Sequence, residues 1–281
     1  MLFESGYFSA VFGVALADGR EVVVKVRPWE DRLVVCSQVQ RFLWEKGFPC
    51  PAPLVQVERV DEWGVSAEEY VPGGTPLAPG PEAAEPLAGV LAELVRKTPA
   101  ATDAGSLDPF PGWLNWRGGG TALWPAAADR GENLNDFREP RWLDNVGTRV
   151  RQRLEQIRLP HVIGHGDWWS SNVRWTSGRL LAVDDWDSLV TLPEAAIAGA
   201  AAALFANGTS TLRETELFLD AYAAARGQPW SGEEAQTAWA AGLWSRLFDA
   251  RKESTWGSTT LAECLRADVH ERARRAGVGE T

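Results

Sequence analysis

The alternation of apolar and polar positions divides the chain into a strand-rich first part and a helix-rich second part. Residues 9–28 contain two runs of apolar, β-branched residues around an Asp-Gly pair, a pattern typical of a β-hairpin, and Lys25 falls inside the second run. Apolar residues then recur at helical spacing over residues 31–47, where Asp31 is the predicted N-cap and Gly47 the predicted end. Further strands are predicted at 54–60 and 65–71, which gives the order β, β, α, β, β.

A stretch rich in proline and glycine at residues 72–86 is predicted to be a linker, and helical patterns dominate after it. A short strand is predicted at 161–164 and a hairpin at 172–185. The predicted helices cover residues 87–98, 141–158, 193–206, 212–226, 232–251 and 259–274. We therefore divide the chain into an N-terminal unit of residues 1–72 and a C-terminal unit of residues 73–281.

Composition and charge narrow the class of protein. The 281 residues are 45% hydrophobic and carry a net charge of −10, which disfavours binding to a nucleic-acid backbone and favours cationic ligands. No apolar run reaches the roughly 18 residues that a membrane span needs, and the N-terminus lacks the pattern of a signal peptide. We expect a cytoplasmic protein without a nucleic-acid or membrane partner.

Two segments, HGDWWSSN and VDDWDS, carry the candidate chemistry. Asp167 and Asn172 are predicted to share one tight loop, and Asp185 to end the strand that returns from it. Two carboxylates and a carboxamide oxygen suit Mg²⁺. The protein-kinase signature separates its catalytic Asp and Asn by the same five positions. With Lys25 on a strand to reach nucleotide phosphates, these residues match the parts needed for phosphoryl transfer.

These two segments, with VVVKV, GFPCPAPL and EEYVPGG upstream of them, resemble the aminoglycoside phosphotransferase and choline kinase family over nearly the whole chain. The resemblance implies an α+β, bilobal, protein-kinase-like fold with a small β-rich N-lobe that binds nucleotide and a larger, mostly helical C-lobe. It also implies an ATP-dependent or GTP-dependent enzyme that uses Mg²⁺ and phosphorylates a hydroxyl group of a small molecule.

Carried over residue by residue, the resemblance makes Asp167 the catalytic base, Asn172 and Asp185 the magnesium ligands, and Lys25 the phosphate-binding lysine. His165 would brace the loop. Further nucleotide contacts are expected in the phosphate-covering loop and in the hinge that faces adenine, at Gly6, Ser9, Glu69, Tyr70 and Val71.

The chain departs from the family pattern in its first part. No G-x-G-x-x-G occurs in the phosphate-covering loop, and the first strand is expected to be very short or missing. Where the family usually places a helix glutamate to pair with the strand lysine, this chain has Cys36, with Gln38 and Gln40 nearby, so the group that orients Lys25 stays open. A catalytically silent, nucleotide-binding member of the fold is therefore the alternative to an active kinase.

The acidic composition predicts a cationic acceptor, and O-phosphorylation of an antibiotic that confers resistance is the leading hypothesis. The antibiotic would be an aminoglycoside or a cyclic peptide of the capreomycin and viomycin type; choline, homoserine or a sugar are the alternatives. Asp187 is predicted to contact substrate, to support the metal site or only to cap a turn, and Trp168 to line the substrate or to pack under the loop. The other predicted substrate contacts are Glu216, Asp220 and Asp249.

Overall fold

The computed structural model describes residues 1–6, 9–118, 120–127 and 133–279. The strands of its N-terminal part are β1 Phe3–Gly6, β2 Ala10–Ala15, β3 Glu21–Pro28, β4 Pro53–Val60 and β5 Trp63–Glu69, and helix α1 spans Arg32–Glu45. The strands form one antiparallel sheet in the order β1-β2-β3-β5-β4. The predicted succession of hairpin, helix and two strands is confirmed, and β1 is the very short first strand.

Helix α1 packs on this sheet through an apolar face that includes Leu33, Val39 and Leu43, all of which are buried. Asp31 is the N-cap residue as predicted, but its carboxylate accepts a hydrogen bond from the indole of Trp29 at 2.9 Å and caps no helix N–H group. The predicted end is confirmed: Gly47 has φ +72°, a left-handed conformation that glycine adopts at little cost.

The C-terminal part combines seven helices with two small antiparallel sheets within the described residues. Its strands are β6 Thr75–Pro76, β7 His161–His165, β8 Val173–Thr176, β9 Arg179–Val183 and β10 Leu189–Pro193. Its helices are α2 Pro81–Lys97, α3 Arg141–Glu155, α4 Glu194–Leu204, α5 Leu212–Arg226, α6 Gly232–Ser254, α7 Thr260–Arg266 and α8 Val269–Arg275. β7 pairs with β10, and β8 lies between β6 and β9. Along the described stretches, no helix combines the length and apolar character that crossing a membrane would require.

Helices α4 and α6 form the centre of the C-terminal core, and α4 is buried over almost its whole length. A Cβ atom on Gly199 of α4 would lie 1.9 Å from the carbonyl oxygen of Ala238 on α6. The close approach of the two helices therefore requires glycine at this position. β7, which leads into the loop around Asp167, is packed on α4, since the Ile197 side chain lies against Gly164 of β7.

Two predicted boundaries are wrong. Helix α2 begins at Pro81, inside the predicted linker, because proline suits the first position of a helix. The buried Ala83 and Ala84 pack its first turns into the core. This packing outweighs the backbone hydrogen bond that Pro86 cannot donate. The last predicted helix is divided into α7 and α8, with Asp268 between them. The division at residue 72 stays a prediction.

Candidate active site

A tight loop after β7 presents the first of the predicted catalytic residues. The N–H of Gly166 donates to the Ser188 carbonyl at 2.7 Å, and a Cβ atom at Gly166 would lie only 2.8 Å from that same oxygen. Only glycine therefore lets the chain pass so close to the segment before β10. Beyond it, the backbone of Trp169 donates to the Asp167 carbonyl at 3.0 Å and begins the turn that ends at Asn172.

Asp167 and Asn172 lie in direct contact. The side-chain nitrogen of Asn172 donates to the Asp167 carbonyl at 2.9 Å and to the Asp167 carboxylate at 3.2 Å. Both of these oxygens are acceptors, so the NH₂ group of Asn172 must face them and its carbonyl oxygen must face away. The sequence spacing thus places the amide nitrogen of Asn172 against the Asp167 carboxylate and leaves the amide oxygen turned away from it.

His165 connects this loop to the segment that carries Asp185. The N–H of Asp167 donates to Nδ1 of His165 at 3.2 Å, so Nδ1 must be the unprotonated nitrogen and Nε2 carries the proton. Nε2 then donates to the Asp184 carbonyl at 3.0 Å. Burial lowers the pKa of His165, which favours the neutral ring that this arrangement needs. The predicted bracing role matches these contacts.

Asp185 follows β9 in a left-handed backbone conformation, with φ 65° and ψ 51°. A residue other than glycine adopts this conformation at a cost and is retained when the surrounding structure requires it. In the part of the chain that the structure describes, no group donates a hydrogen bond to the Asp185 carboxylate. Burial, followed by the negative charges of Asp185 and then Asp249, raises the pKa of Asp167 to about 7. Asp185 therefore lies close enough to Asp167 for their charges to interact strongly.

These residues fit a divalent cation with oxygen ligands. The Asn172 carbonyl oxygen faces away from Asp167, and the Asp185 carboxylate accepts no hydrogen bond from the described residues. Carboxylate and carboxamide oxygens are the ligands that Mg²⁺ prefers, together with water and phosphate. A divalent cation held by Asp185 would also reduce the repulsion between the charges of Asp167 and Asp185.

Lys25 lies in the middle of β3 and forms an ion pair with Glu68 of β5, with Nζ 2.8 Å from the carboxylate oxygen Oε1. The two side chains are 13% and 11% exposed, so the pair is largely shielded from water. Burial alone would lower the pKa of Lys25, but attraction to Glu68 and Asp185 outweighs it and raises the pKa above its usual range. Lys25 is therefore a fixed positive charge facing the same region as Asp185.

The predicted nucleotide contacts lie in two places, at the end of β1 and in the hinge. Gly6 ends β1 and Ser9 precedes β2, and a Cβ atom at Gly6 would lie 2.5 Å from the Ser9 carbonyl, so the close approach of these two residues requires glycine at position 6. The two residues between them lie outside the described residues. In the hinge, the N–H of Glu69 donates to Ala52 and that of Tyr70 donates to Glu21. The carbonyl of Val71 accepts from Arg174 at 2.7 Å.

Two of the predicted substrate contacts are contradicted. Trp168 is completely buried, with its indole N–H donating to the Leu87 carbonyl of α2 at 3.2 Å, so it packs under the loop and lines no open cleft. Asp187 forms an ion pair with Arg27 of β3, and its carbonyl accepts from Arg32 of α1 at 2.7 Å. Arg27 neutralises the charge that was expected to attract a substrate, because the chain folds the segment after Asp185 against the N-terminal sheet.

The remaining acidic candidates separate into two places. Glu216 forms an ion pair with Arg275 of α8, and Glu216 and Asp220 line a hollow beside α6 in which none of the catalytic candidates takes part. Asp249 lies near Asp167, whose pKa its charge raises. Its carboxylate and the ring of Trp169 both approach Gly208. Asp249 is therefore the acidic candidate beside the loop of Asp167, and the partly exposed ring of Trp169, a residue of that loop, lies on the same side of it.

Sequence reasoning missed residues that hold the site together. Arg174, two positions after Asn172, makes a two-pronged contact with the Asp184 carboxylate and also donates to the carbonyls of Val71 and Gly73. It thereby ties the hinge to the strand before Asp185. Glu68 and Arg27 were missed as well. In the sequence they are charged residues of two separate strands, and they cannot be told from surface charges until the pairing of the strands is known.

The model of the phosphotransferase enzyme family (APH) matches residues 2–243. The chain belongs to this family and is a phosphotransferase enzyme. A search of curated proteins found no match.

Solved structures support the same fold at low sequence identity. The chain is similar to the amicoumacin kinase hAmiN in complex with AMP-PNP, Ca²⁺ and Ami, at a TM-score of 0.67, 11% identity and coverage of 97% of this chain and 86% of that one. It is also similar to an aminoglycoside phosphotransferase from Alicyclobacillus acidocaldarius, at a TM-score of 0.59, 14% identity and coverage of 98% of this chain and 92% of that one. A third similar structure is the Plasmodium vivax ethanolamine kinase, at a TM-score of 0.56, 14% identity and coverage of 95% of this chain and 80% of that one. The predicted α+β, kinase-like fold is confirmed.

Proposed function

We propose that the chain is a small-molecule kinase that transfers the γ-phosphoryl group of ATP or GTP to a hydroxyl of a cationic acceptor. The observation that carries the proposal is that Asp167, Asn172 and Asp185 lie together and that the largely shielded Lys25 faces them. Phosphoryl transfer depends on positioning and on stabilising negative charge, and these four residues supply both.

The nucleotide half of the site is assigned to the N-terminal sheet. Lys25 binds the phosphates, Gly6 and Ser9 approach them with their backbone N–H groups, and the hinge near Tyr70 faces the base. The side-chain oxygen of Asn172 and the Asp185 carboxylate would hold Mg²⁺, which when bound would neutralise charge on the phosphate oxygens.

Asp167 accepts the proton of the acceptor hydroxyl as its oxygen forms the new bond to the γ-phosphorus. The bond from that phosphorus to the β-γ bridging oxygen breaks, and the nucleoside diphosphate leaves with the electron pair. Burial, the main cause of the raised pKa of Asp167, suits this role, since a carboxylate shielded from water is a better proton acceptor than an exposed one.

The acceptor side favours a cation. The chain has a net charge of −10, and Asp249 and Trp169 lie beside the catalytic loop. A carboxylate attracts an ammonium group, and an indole face binds one through its π-electrons. An amine-bearing antibiotic fits these groups, and O-phosphorylation of such a compound would confer resistance. The name of the ethanolamine kinase among the similar structures keeps a small amine metabolite such as choline as the second candidate.

Incubation of the protein with Mg²⁺, nucleotide and a panel of acceptors tests the proposal. The panel contains aminoglycosides, capreomycin, viomycin, amicoumacin, choline, ethanolamine, homoserine and neutral sugars, and mass spectrometry detects the addition of HPO₃, about 80 daltons. A phosphorylated amine-bearing antibiotic supports the leading candidate, and phosphorylated choline or ethanolamine the second. Product from homoserine or a sugar alone contradicts the cationic acceptor. Nucleotide binding without any product would identify a catalytically silent member of the fold.

The charge of the acceptor is tested separately with the acceptor so identified. Asp249→Asn should lower kcat/KM and flatten its decline with rising salt, because the carboxylate attracts a cation that salt screens. Asp220→Asn is the matched control, since this residue also lies on a C-terminal helix but lines the separate hollow. If Asp220→Asn lowers kcat/KM and Asp249→Asn does not, the acceptor binds elsewhere.

A further inference from the structure

Helix α1 offers no carboxylate to Lys25. Its side chains facing the sheet and the segment after Asp185 include Cys36 and Gln40, and Glu45 at its last turn is its one acidic residue. The ammonium group of Lys25 must nevertheless be held, because a free lysine side chain samples many rotamers and would be drawn to the nearest unpaired carboxylate. Asp185 exerts such an attraction on Lys25.

The partner that holds Lys25 comes from the neighbouring strand. Lys25 is opposite Ser66 in the β3–β5 register, and Glu68 is two residues further along β5, so its side chain lies on the same face of the sheet. This diagonal arrangement brings the carboxylate to 2.8 Å from Nζ of Lys25.

Both oxygens of Glu68 are engaged. Oε1 meets Lys25, and Oε2 accepts a hydrogen bond from the side-chain nitrogen of Gln40 at 3.0 Å. The same nitrogen of Gln40 also donates to the Pro51 carbonyl at 3.1 Å, which fixes the amide against the start of β4. Helix α1 therefore acts on Lys25 through an amide and a strand carboxylate.

We propose that Glu68 is the positioning residue for Lys25, in place of a helix carboxylate. It holds the ammonium group in reach of the nucleotide phosphates and away from Asp185, whose carboxylate then stays available to the metal. This inference rests on the proposed nucleotide site but not on the identity of the acceptor. The predicted consequence is that Glu68 affects nucleotide binding only through Lys25.

A double-mutant cycle tests this dependence. The dissociation constant for Mg²⁺·AMP-PNP is measured by calorimetry for the wild type, Glu68→Gln, Lys25→Met and the double variant, so that no acceptor is needed. Glu68→Gln should weaken binding at least about fivefold in the wild type and less than about twofold when Lys25 is absent, because residues in contact are energetically coupled. Glu58→Gln, an equal loss of charge on the exposed face of β4, should leave binding unchanged.

Equal weakening by Glu68→Gln in both backgrounds would overturn the proposal and assign Glu68 a general structural role. Thermal unfolding of each variant checks folding. If Glu68→Gln fails to fold, Glu68→Asp replaces it, because this variant keeps the charge and only retracts it by one methylene. The weaker nucleotide binding of Glu68→Asp must also disappear when Lys25 is absent. Unchanged nucleotide binding by Glu68→Asp would refute the proposal. A wild-type protein that binds nucleotide but phosphorylates no acceptor would refute the proposed function alone. A wild type that binds no nucleotide would refute both.

Discussion

Replacement of Arg174 by methionine should destabilise the protein and loosen its nucleotide site together. The guanidinium contacts both oxygens of Asp184, at 2.6 and 3.1 Å, and the carbonyls of Val71 and Gly73 at 2.7 and 2.6 Å. The Arg174 and Asp184 side chains are 20% and 29% exposed, so the ion pair is discounted for solvent and assigned about 1 kcal/mol.

Each carbonyl contact contributes about 1 kcal/mol, less than a fully buried bond to a charged donor because water can reach part of the group. We therefore expect Arg174→Met to lower the free energy of unfolding by about 3 kcal/mol at most. The nucleotide should also bind several-fold more weakly, since Arg174 connects the hinge at Val71 to the strand that precedes Asp185.

Urea denaturation followed by tryptophan fluorescence measures the first quantity, and calorimetry with Mg²⁺·AMP-PNP measures the second. Arg179→Met is the matched control, because Arg179 is an exposed arginine on the same β8–β9 hairpin. A loss of less than about 0.5 kcal/mol for Arg174→Met, equal to that of the control, would refute the energetic reasoning. The expected loss of about 3 kcal/mol with unchanged nucleotide affinity would refute the proposal that Arg174 supports nucleotide binding by connecting the hinge to the strand before Asp185.

Three further predictions concern the core, the thiols and the metal site. Gly199→Ala should lower the midpoint temperature of unfolding, because the added methyl group meets the backbone of α6. Gly89→Ala should raise it slightly, since no atom lies within 4 Å of the added methyl group and alanine favours a helix. Equal shifts of the two variants would contradict this prediction. A thiol reagent should label Cys264 alone in the native protein, because the other two cysteines are buried with raised pKa values; a second native label would contradict their burial. Magnesium titration at fixed nucleotide should show a larger loss of affinity for Asp185→Ala than for Asn172→Ala, because the first removes a charge; equal losses would count against these roles.

The order of strands and helices and the contact between Asp167 and Asn172 follow from local patterns in the sequence. The hairpin around Asp18 and the helical spacing of α1 are short-range features. Asp167 and Asn172 are five positions apart in one loop, so the structure had little freedom to separate them.

Contacts between distant segments were not predictable. Glu68 meets Lys25 only because β5 pairs with β3 in one particular register, and a shift by one residue would turn its side chain to the other face. The sequence left Asp187 open between a substrate contact, support of the metal site and a turn cap, and only the fold shows that its carboxylate pairs with Arg27. The buried position of Trp168 likewise depends on α2, which begins earlier than its prolines indicated.

The proposed role of Asp167 as the base can be separated from nucleotide binding with the variant Asp167→Asn. Its kcat for the identified acceptor and its dissociation constant for Mg²⁺·AMP-PNP are compared with those of the wild type. We expect kcat to fall by roughly 10² to 10⁴, the contribution of a positioned general base, while the dissociation constant changes less than about threefold because Asn172 and Asp185 are the proposed metal ligands. Unchanged turnover, or a loss of nucleotide affinity as large as the loss of turnover, would contradict the assignment of Asp167 as the base.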